Sequence, residues 1–477
     1  MTSAAFIVGR IVCVTRAMAA SVGEVDLDAL VNLDDFERAA RAVMDAHDFD
    51  YFAGAAESET TMRANAAAFS DVTLWPKCLV DVSDVDISAS FPELGLPRLA
   101  APLIAAPVAM QKMAHPAGEP AAARACAARR VGYCASQQAT TRVETIAEAL
   151  ETTRLRRSSG PSSEDAFPPP PMWFQLYVFE DRSVTKHLIE RAEKAGVAAF
   201  AVTVDAPVLG RRERDVRNRF AMRAGMKLEN VFDISSEKAV KVSGSSNANA
   251  VDDDDTLVNA TRRVTVVRRR ATVSATTNKK TTPAPSRAQK EIARRVGGRD
   301  ASLTWSFVEW IKSVTNRPII LKGVTRRDDA AKAVEMGVDA LWVSNHGGRQ
   351  LDGAPATLDA LPEVVAGARS AFLTRRDDSK KKRKVPVVFD GGVRRGADVL
   401  KALALGADLV AFGRPLVWGL ACGGEEGVDR VIEVLLDELK TAAALCGVQK
   451  LDDRNAFLAD VAQRRGDPPP GQKRSRL

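Results

Sequence analysis

The chain has 477 residues, 45% hydrophobic and 27% charged, with a formal net charge of +7; this suits a large globular core, arranged as one α/β barrel with extensions or as two domains. No stretch reads as a membrane span, because the most apolar one, 99–110, is short and carries two prolines, and the six cysteines show neither a C-x-x-C pair nor a zinc spacing, so they read as free thiols in a reducing compartment. Residues 235–300 hold 14 Lys and Arg against 7 Asp and Glu, so the positive excess belongs to one insert and no nucleic-acid partner is expected.

Residues 1–24 read as a targeting or disordered segment, with Arg10 and Arg16 ahead of the first acid, Glu24, and with Met18 as an alternative start. Residues 25–98 form a helical segment leading to the barrel. Beyond them lie eight short apolar runs: 99–106, 131–136, 173–177, 199–204, 318–322, 340–343, 385–390 and 409–412. A unit of amphipathic helix, glycine and apolar run recurs at 183–204, 325–343 and 396–412. Its glycines, Gly196, Gly337 and Gly406, fall where a helix C-cap needs positive φ, and Thr325 with Asp328 is expected to form a capping box. Helix then strand, repeated, predicts a parallel sheet covered by helices. Eight strands make it a (β/α)8 TIM barrel over 99–450.

Three inserts interrupt the pattern: a charged, Ser- and Pro-rich loop at 154–171, a polar stretch at 235–299 after the fourth strand that is expected to be disordered, and a charged loop at 375–384. Residues 380–385 resemble a nuclear import signal, but a solvated loop entering the seventh strand is the better explanation of them. The tail, 451–477, closes on Ser475-Arg476-Leu477, a variant of the peroxisomal signal.

Polar residues gather at the carboxyl ends of the runs, where barrels place their chemistry: Gln175 and Tyr177, Thr203 and Asp205, Lys322, Ser344 and His346, Asp390, then Gly413 and Arg414. The most telling stretch is Ser344-Asn345-His346-Gly347-Gly348-Arg349-Gln350-Leu351-Asp352. It sets a proton acceptor and a carboxylate-binding fork three residues apart on a glycine-opened turn. A strand-end histidine is often only a hydrogen-bonded core residue, but the others here are ordinary: His47 and His187 lie in helical patterns and His115 precedes Pro116.

From about 34 to 450 the chain resembles the FMN-dependent 2-hydroxy-acid oxidases, most of all the plant-type glycolate oxidases. The resemblance rests on separated motifs in family order: Ala105-Ala106-Pro107-Val108-Ala109-Met110-Gln111, Phe174-Gln175-Leu176-Tyr177, Thr203-Val204-Asp205-Ala206-Pro207, Leu209-Gly210-Arg211-Arg212, Leu321-Lys322-Gly323, the histidine motif, and Asp390-Gly391-Gly392-Val393-Arg394-Arg395-Gly396. Oxidising a 2-hydroxy acid needs a base, a carboxylate anchor and an electron sink. His346 is the expected base, oriented by Asp205, whose charge is expected to raise the imidazole pKa. Arg349 is the anchor, able to bind bidentately.

The resemblance further implies that Tyr51, Tyr177 and Arg212 reach the substrate, and that Lys322 sits beside the flavin ring. Gln175, Thr203, Ser136 and Ser344 would hydrogen-bond the ring or ribityl chain, and Ala106, Pro107 and Val108 would line one ring face. Asp390, Gly391, Gly392, Arg394, Gly413 and Arg414 would take the phosphate. The chain departs from the plant pattern at Val108, where a hydroxyl is lost, at Gly348, and at Gln138, which stands where an indole faces the substrate; glycolate, L-lactate or a longer acid all remain open.

The implied activity is oxidation of a small L-2-hydroxy acid to the 2-oxo acid with dioxygen reduced to hydrogen peroxide, in a homo-oligomer, tetramer or larger, of the peroxisome. A mitochondrial or chloroplast address through the N-terminus is the alternative. Alternative functions are a dehydrogenase with another electron acceptor, a different FMN barrel enzyme, and a non-enzymatic nucleic-acid-associated protein.

Overall fold

Eight strands close into a parallel barrel: β1 (Leu103–Ala105), β2 (Gly132–Ser136), β3 (Trp173–Leu176), β4 (Ala199–Thr203), β5 (Ile319–Lys322), β6 (Ala340–Val343), β7 (Val387–Asp390) and β8 (Leu409–Phe412), with β8 pairing back onto β1. These are the elements of a computed structural model that describes residues 25–158, 170–231, 298–374, 384–451 and 462–464. The expected (β/α)8 barrel is the observed one. Every strand position is buried, as an apolar run covered on both faces must be.

A helix follows each strand: α1 (Gly118–Ala128), α2 (Val143–Ser158), α3 (Arg182–Lys194), α4 (Ser306–Val314), α5 (Arg327–Glu335), α6 (Thr357–Thr374), α7 (Gly396–Ala404) and α8 (Arg414–Leu445). The three C-cap glycines have φ of 82°, 76° and 110° at Gly196, Gly337 and Gly406, as their spacing predicts. The Thr325 capping box does not form. The helix α5 begins two residues later, Arg326 is its N-cap without a side-chain cap bond, and Asp328 faces the Arg326 guanidinium instead.

The first expected strand, 99–106, divides in two. Pro102 offers no N–H to a ladder, and the chain turns there. Leu96–Leu99 pairs antiparallel with Ala89–Phe91, and only Leu103–Ala105 enters the barrel. That hairpin closes the amino-terminal end: Leu94 accepts a hydrogen bond from the Trp173 indole at the start of β3, and Phe91, Leu94, Leu96 and Leu99 join one core with Ile104, Trp173 and Trp342. Emptying a phenylalanine site of this kind costs on the order of 3–5 kcal/mol. With the floor sealed, the open end of the barrel is the carboxyl one.

The insert expected from 154 begins later, because α2 runs to Ser158; α6 ends at Thr374. Otherwise the expected disorder of 235–299, apart from 298–299, lies outside the described residues, as do most of 375–384 and the terminal Ser475-Arg476-Leu477. Ala462–Arg464, expected as tail, forms a strand against Val72–Leu74. Cys78, Cys126, Cys134, Cys422 and Cys446 are free thiols, and Cys13 lies outside the described residues.

Candidate active site

A cleft enclosing about 1210 Å³, part of it open to solvent, occupies the carboxyl end of the barrel. Its walls bring together Tyr51, Ala106, Pro107, Val108, Ser136, Gln138, Gln175, Tyr177, Thr203, Arg212, Lys322, His346, Arg349, Asp390, Gly391, Gly392, Arg394, Gly413 and Arg414. Of the expected site residues only Asp205 and Ser344 stand behind the wall.

Asp205 lies just beyond β4, and its Oδ1 is 2.9 Å from His346 Nδ1. Burial works to raise the Asp205 pKa, but the charge of and hydrogen bond from His346, with Lys322, hold it below the usual carboxylate value. An ionised carboxylate only accepts, so Nδ1 bears the proton and Nε2 presents its lone pair. That nitrogen is 3.3 Å from the Tyr177 hydroxyl. Asp205 raises the His346 pKa as expected, but burial, reinforced by the positive charges of Lys322 and Arg212, outweighs the carboxylate and leaves it below the ordinary value. The imidazole is therefore neutral and basic at neutral pH. Burial raises the Tyr177 pKa, which keeps the phenol protonated and able to donate.

The histidine turn is built tightly. His346, Gly347 and Gly348 have φ of 61°, 64° and 77°, a left-handed path that costs His346 on the order of 1–3 kcal/mol. Asn345 holds it: its Oδ1 accepts from the Gly348 N–H, and it exchanges two side-chain hydrogen bonds with Asn65. Asn65 and Met62, on the helix Thr60–Ala67, line the cleft and were missed in the sequence, where nothing but tertiary packing marks them.

Arg349 donates to the backbone oxygens of Tyr51 and Gly54 and lies 4.9 Å from the centre of the Tyr51 ring. Burial, then repulsion from Arg212, pushes its pKa down to about 10. The Nε of Arg212 is buried with no hydrogen-bond partner. Arg414 donates to the oxygens of Phe52, Gly54 and Gly347, and burial with the nearby Arg349 and Arg394 lowers its pKa to about 9. Arg394, expected to serve a phosphate, lines the cleft while paired with Glu37 at 3.1 Å.

Lys322, 5% exposed, donates to Ser344 Oγ at 2.7 Å and lies 3.1 Å from Asp390 Oδ2. The side chain of Ser344 thus bridges Lys322, Asp390 and the His346 N–H instead of facing the cleft. Gln175 spans from Ser136 to Thr203. Gly391 and Gly392 run at φ of 117° and 81°, and a side chain on Gly392 would meet the Asn65 oxygen at 2.2 Å. The cleft wall carries Lys322, Arg212, Arg349, Arg394 and Arg414. Crowded, partly unsatisfied cations and a close backbone cradle fit a ligand bearing a phosphate, beside a second, smaller acid.

Residues 40–459 match the family of FMN-dependent dehydrogenases. The chain belongs to that family. Its cofactor is FMN, and it is an oxidoreductase. It is 39% identical to the L-lactate oxidase of Nostoc sp. over 89% of its length and 96% of the relative's. It is 38% identical to 2-hydroxyacid oxidase 1 of Homo sapiens over 89% and 95% of the two chains, and 37% identical to glycolate oxidase of Spinacia oleracea over 90% and 96%. A solved structure of mandelate oxidase with (S)-4-hydroxymandelic acid is 33% identical and superposes with a TM-score of 0.67 over 88% of this chain and 96% of that one.

Proposed function

We propose that the protein oxidises a small (S)-2-hydroxy acid to the 2-oxo acid and passes the electrons to dioxygen, giving hydrogen peroxide. The carrying observation is that His346 Nε2 and the Arg349 and Arg212 guanidinium groups open on one cleft, the first with its lone pair toward the Tyr177 hydroxyl and the last with an unsatisfied donor. A carboxylate between the two arginines would satisfy that donor and relieve their repulsion.

So anchored, the acid turns its 2-hydroxyl toward His346 and Tyr177. Nε2 takes the hydroxyl proton, Asp205 stabilises the resulting imidazolium, and the Tyr177 phenol donates to the substrate oxygen. Bound FMN supplies the two-electron acceptor for the Cα–H bond. Lys322, Gln175, Ser136 and Thr203 would hold its ring and ribityl chain. The Gly391-Gly392 turn with Arg394, Gly413 and Arg414 would hold its phosphate, and Ala106 to Val108 would line its face. Lys322 would supply a positive charge to the bound flavin.

Gln138, on the wall of the same cleft, is held through its backbone, its N–H donating to Ser136 Oγ and its oxygen accepting from the Met110 N–H. Its side chain shapes the space for the substituent on Cα, which favours acids larger than glycolate. Oxygen uptake with glycolate, L-lactate, D-lactate and longer acids tests this reading; turnover of the S acids with uptake of dioxygen supports it, and turnover only with another acceptor contradicts the oxidase part. The relatives include peroxisomal oxidases, which supports a peroxisomal address. A homo-oligomer, tetramer or larger, is part of the same proposal.

A further inference from the structure

A second cavity, enclosing about 1190 Å³ and also part open, backs onto the first. Tyr177 and Thr203 stand in the walls of both. Trp305, Phe307 and Val308 at the start of α4 give it an apolar stretch of wall, with Thr304 and Asp329 also lining it. Its near side carries Arg299, whose guanidinium carbon lies 4.0 Å from the centre of the Tyr177 ring. The Arg299 Nη1 is buried with no hydrogen-bond partner. The neighbouring carboxylate cannot satisfy it, because Asp300 is taken by Arg182 and by Ser302.

An unsatisfied guanidinium facing an aromatic and aliphatic wall defines a ligand class. We infer that this cavity is a second binding site, for a small carboxylic acid with an apolar body: the carboxylate on Arg299, the hydrocarbon against Trp305, Phe307 and Val308. The site is coupled to the first through Tyr177. Arg299 places a positive charge on the face of that ring, which strengthens its hydroxyl as a donor. A bound carboxylate neutralises this charge and weakens the hydroxyl on the other side of the wall. Such an acid therefore slows oxidation without occupying the active cleft.

The test uses hexanoate and the FMN-loaded protein. Calorimetric titration is expected to find two hexanoates per chain, one in each cavity. Arg299→Leu weakens the second by about tenfold or more, as loss of a charge-assisted contact should, and leaves the first. Ala301→Trp, which fills the rim of the second cavity with Arg299 intact, gives the same result should the first variant fold poorly. A single hexanoate in the unaltered protein, or two of undiminished affinity in both variants, overturns the site. This arm needs no turnover, so it stands or falls apart from the proposed reaction. With a substrate in hand, hexanoate is expected to lower kcat at saturating hydroxy acid, and Ala301→Trp to abolish that effect while leaving the uninhibited rate unchanged; purely competitive inhibition overturns the coupling.

Discussion

Asp205 and His346 stand 141 residues apart in the sequence and 2.9 Å apart through Oδ1 and Nδ1. The contact exists because β4 and β6 end on the same rim of one barrel. It fixes the proton on Nδ1 and leaves Nε2 as the base. His346→Gln, which keeps the size and polarity of the site, is expected to lower the rate of flavin reduction by about 10²–10⁴-fold, the usual contribution of a positioned base. FMN should stay bound. Stopped-flow mixing with substrate in the absence of oxygen measures the rate, and a normal rate in the variant would remove His346 from its role.

The same contact fixes the pH dependence. Burial holds the His346 pKa below its ordinary value, so kcat/KM should rise as pH increases through that lowered pKa and be level at neutral pH. Removing a negative neighbour disfavours the imidazolium. Asp205→Asn is therefore expected to move the acid limb to still lower pH while lowering the plateau, since the amide no longer selects the Nδ1–H tautomer. A limb that moves to higher pH would show that Asp205 does not act as an anion.

Much of this was legible from the residues alone. Strand ends could be read because short apolar runs buried on both faces stand out between amphipathic helices, and the glycines closing those helices adopt the positive φ that their spacing predicts. Three things were not legible. The split of 99–106 depends on Pro102 and on a hairpin that finds its place only against the barrel floor. Asn65 supports the histidine turn across 280 residues, with no local pattern to mark it. The direction of the His346 shift depends on how far burial outweighs one carboxylate, a balance that only the packed site sets.

Arg349→Lys keeps the charge and loses the fork. Charge-assisted hydrogen bonds to a substrate carboxylate are worth roughly 1.5–3 kcal/mol, so KM should rise by about 10–150-fold with a smaller change in kcat. Steady-state kinetics separates the two. An unchanged KM would mean that the carboxylate binds elsewhere in the cleft.

Lys322 is buried against Asp390. Lys322→Met leaves that carboxylate without its cation, which should cost about 3–5 kcal/mol of stability and weaken FMN binding. Denaturant titration and FMN retention on gel filtration measure the two effects, and a variant as stable and as yellow as the parent would contradict the role given to the pair.

Gln138→Trp narrows the wall of the cleft. It should shift the ratio of kcat/KM toward glycolate and away from larger acids by about 10–200-fold, the range that one or two methylenes command in a shaped pocket. Competition between glycolate and a longer acid reads the ratio directly, and no change would move the determinant of size to another residue.

The most direct measurement is anaerobic mixing of the FMN-loaded protein with the two enantiomers of lactate while the oxidised-flavin absorbance is followed. The S enantiomer should bleach the flavin in the parent and in Gln138→Trp, the R enantiomer should not, and readmitted oxygen should restore the colour with formation of hydrogen peroxide. A flavin that stays oxidised with every 2-hydroxy acid tried, or that bleaches as readily in His346→Gln, would contradict a hydroxy-acid oxidase with His346 as its base.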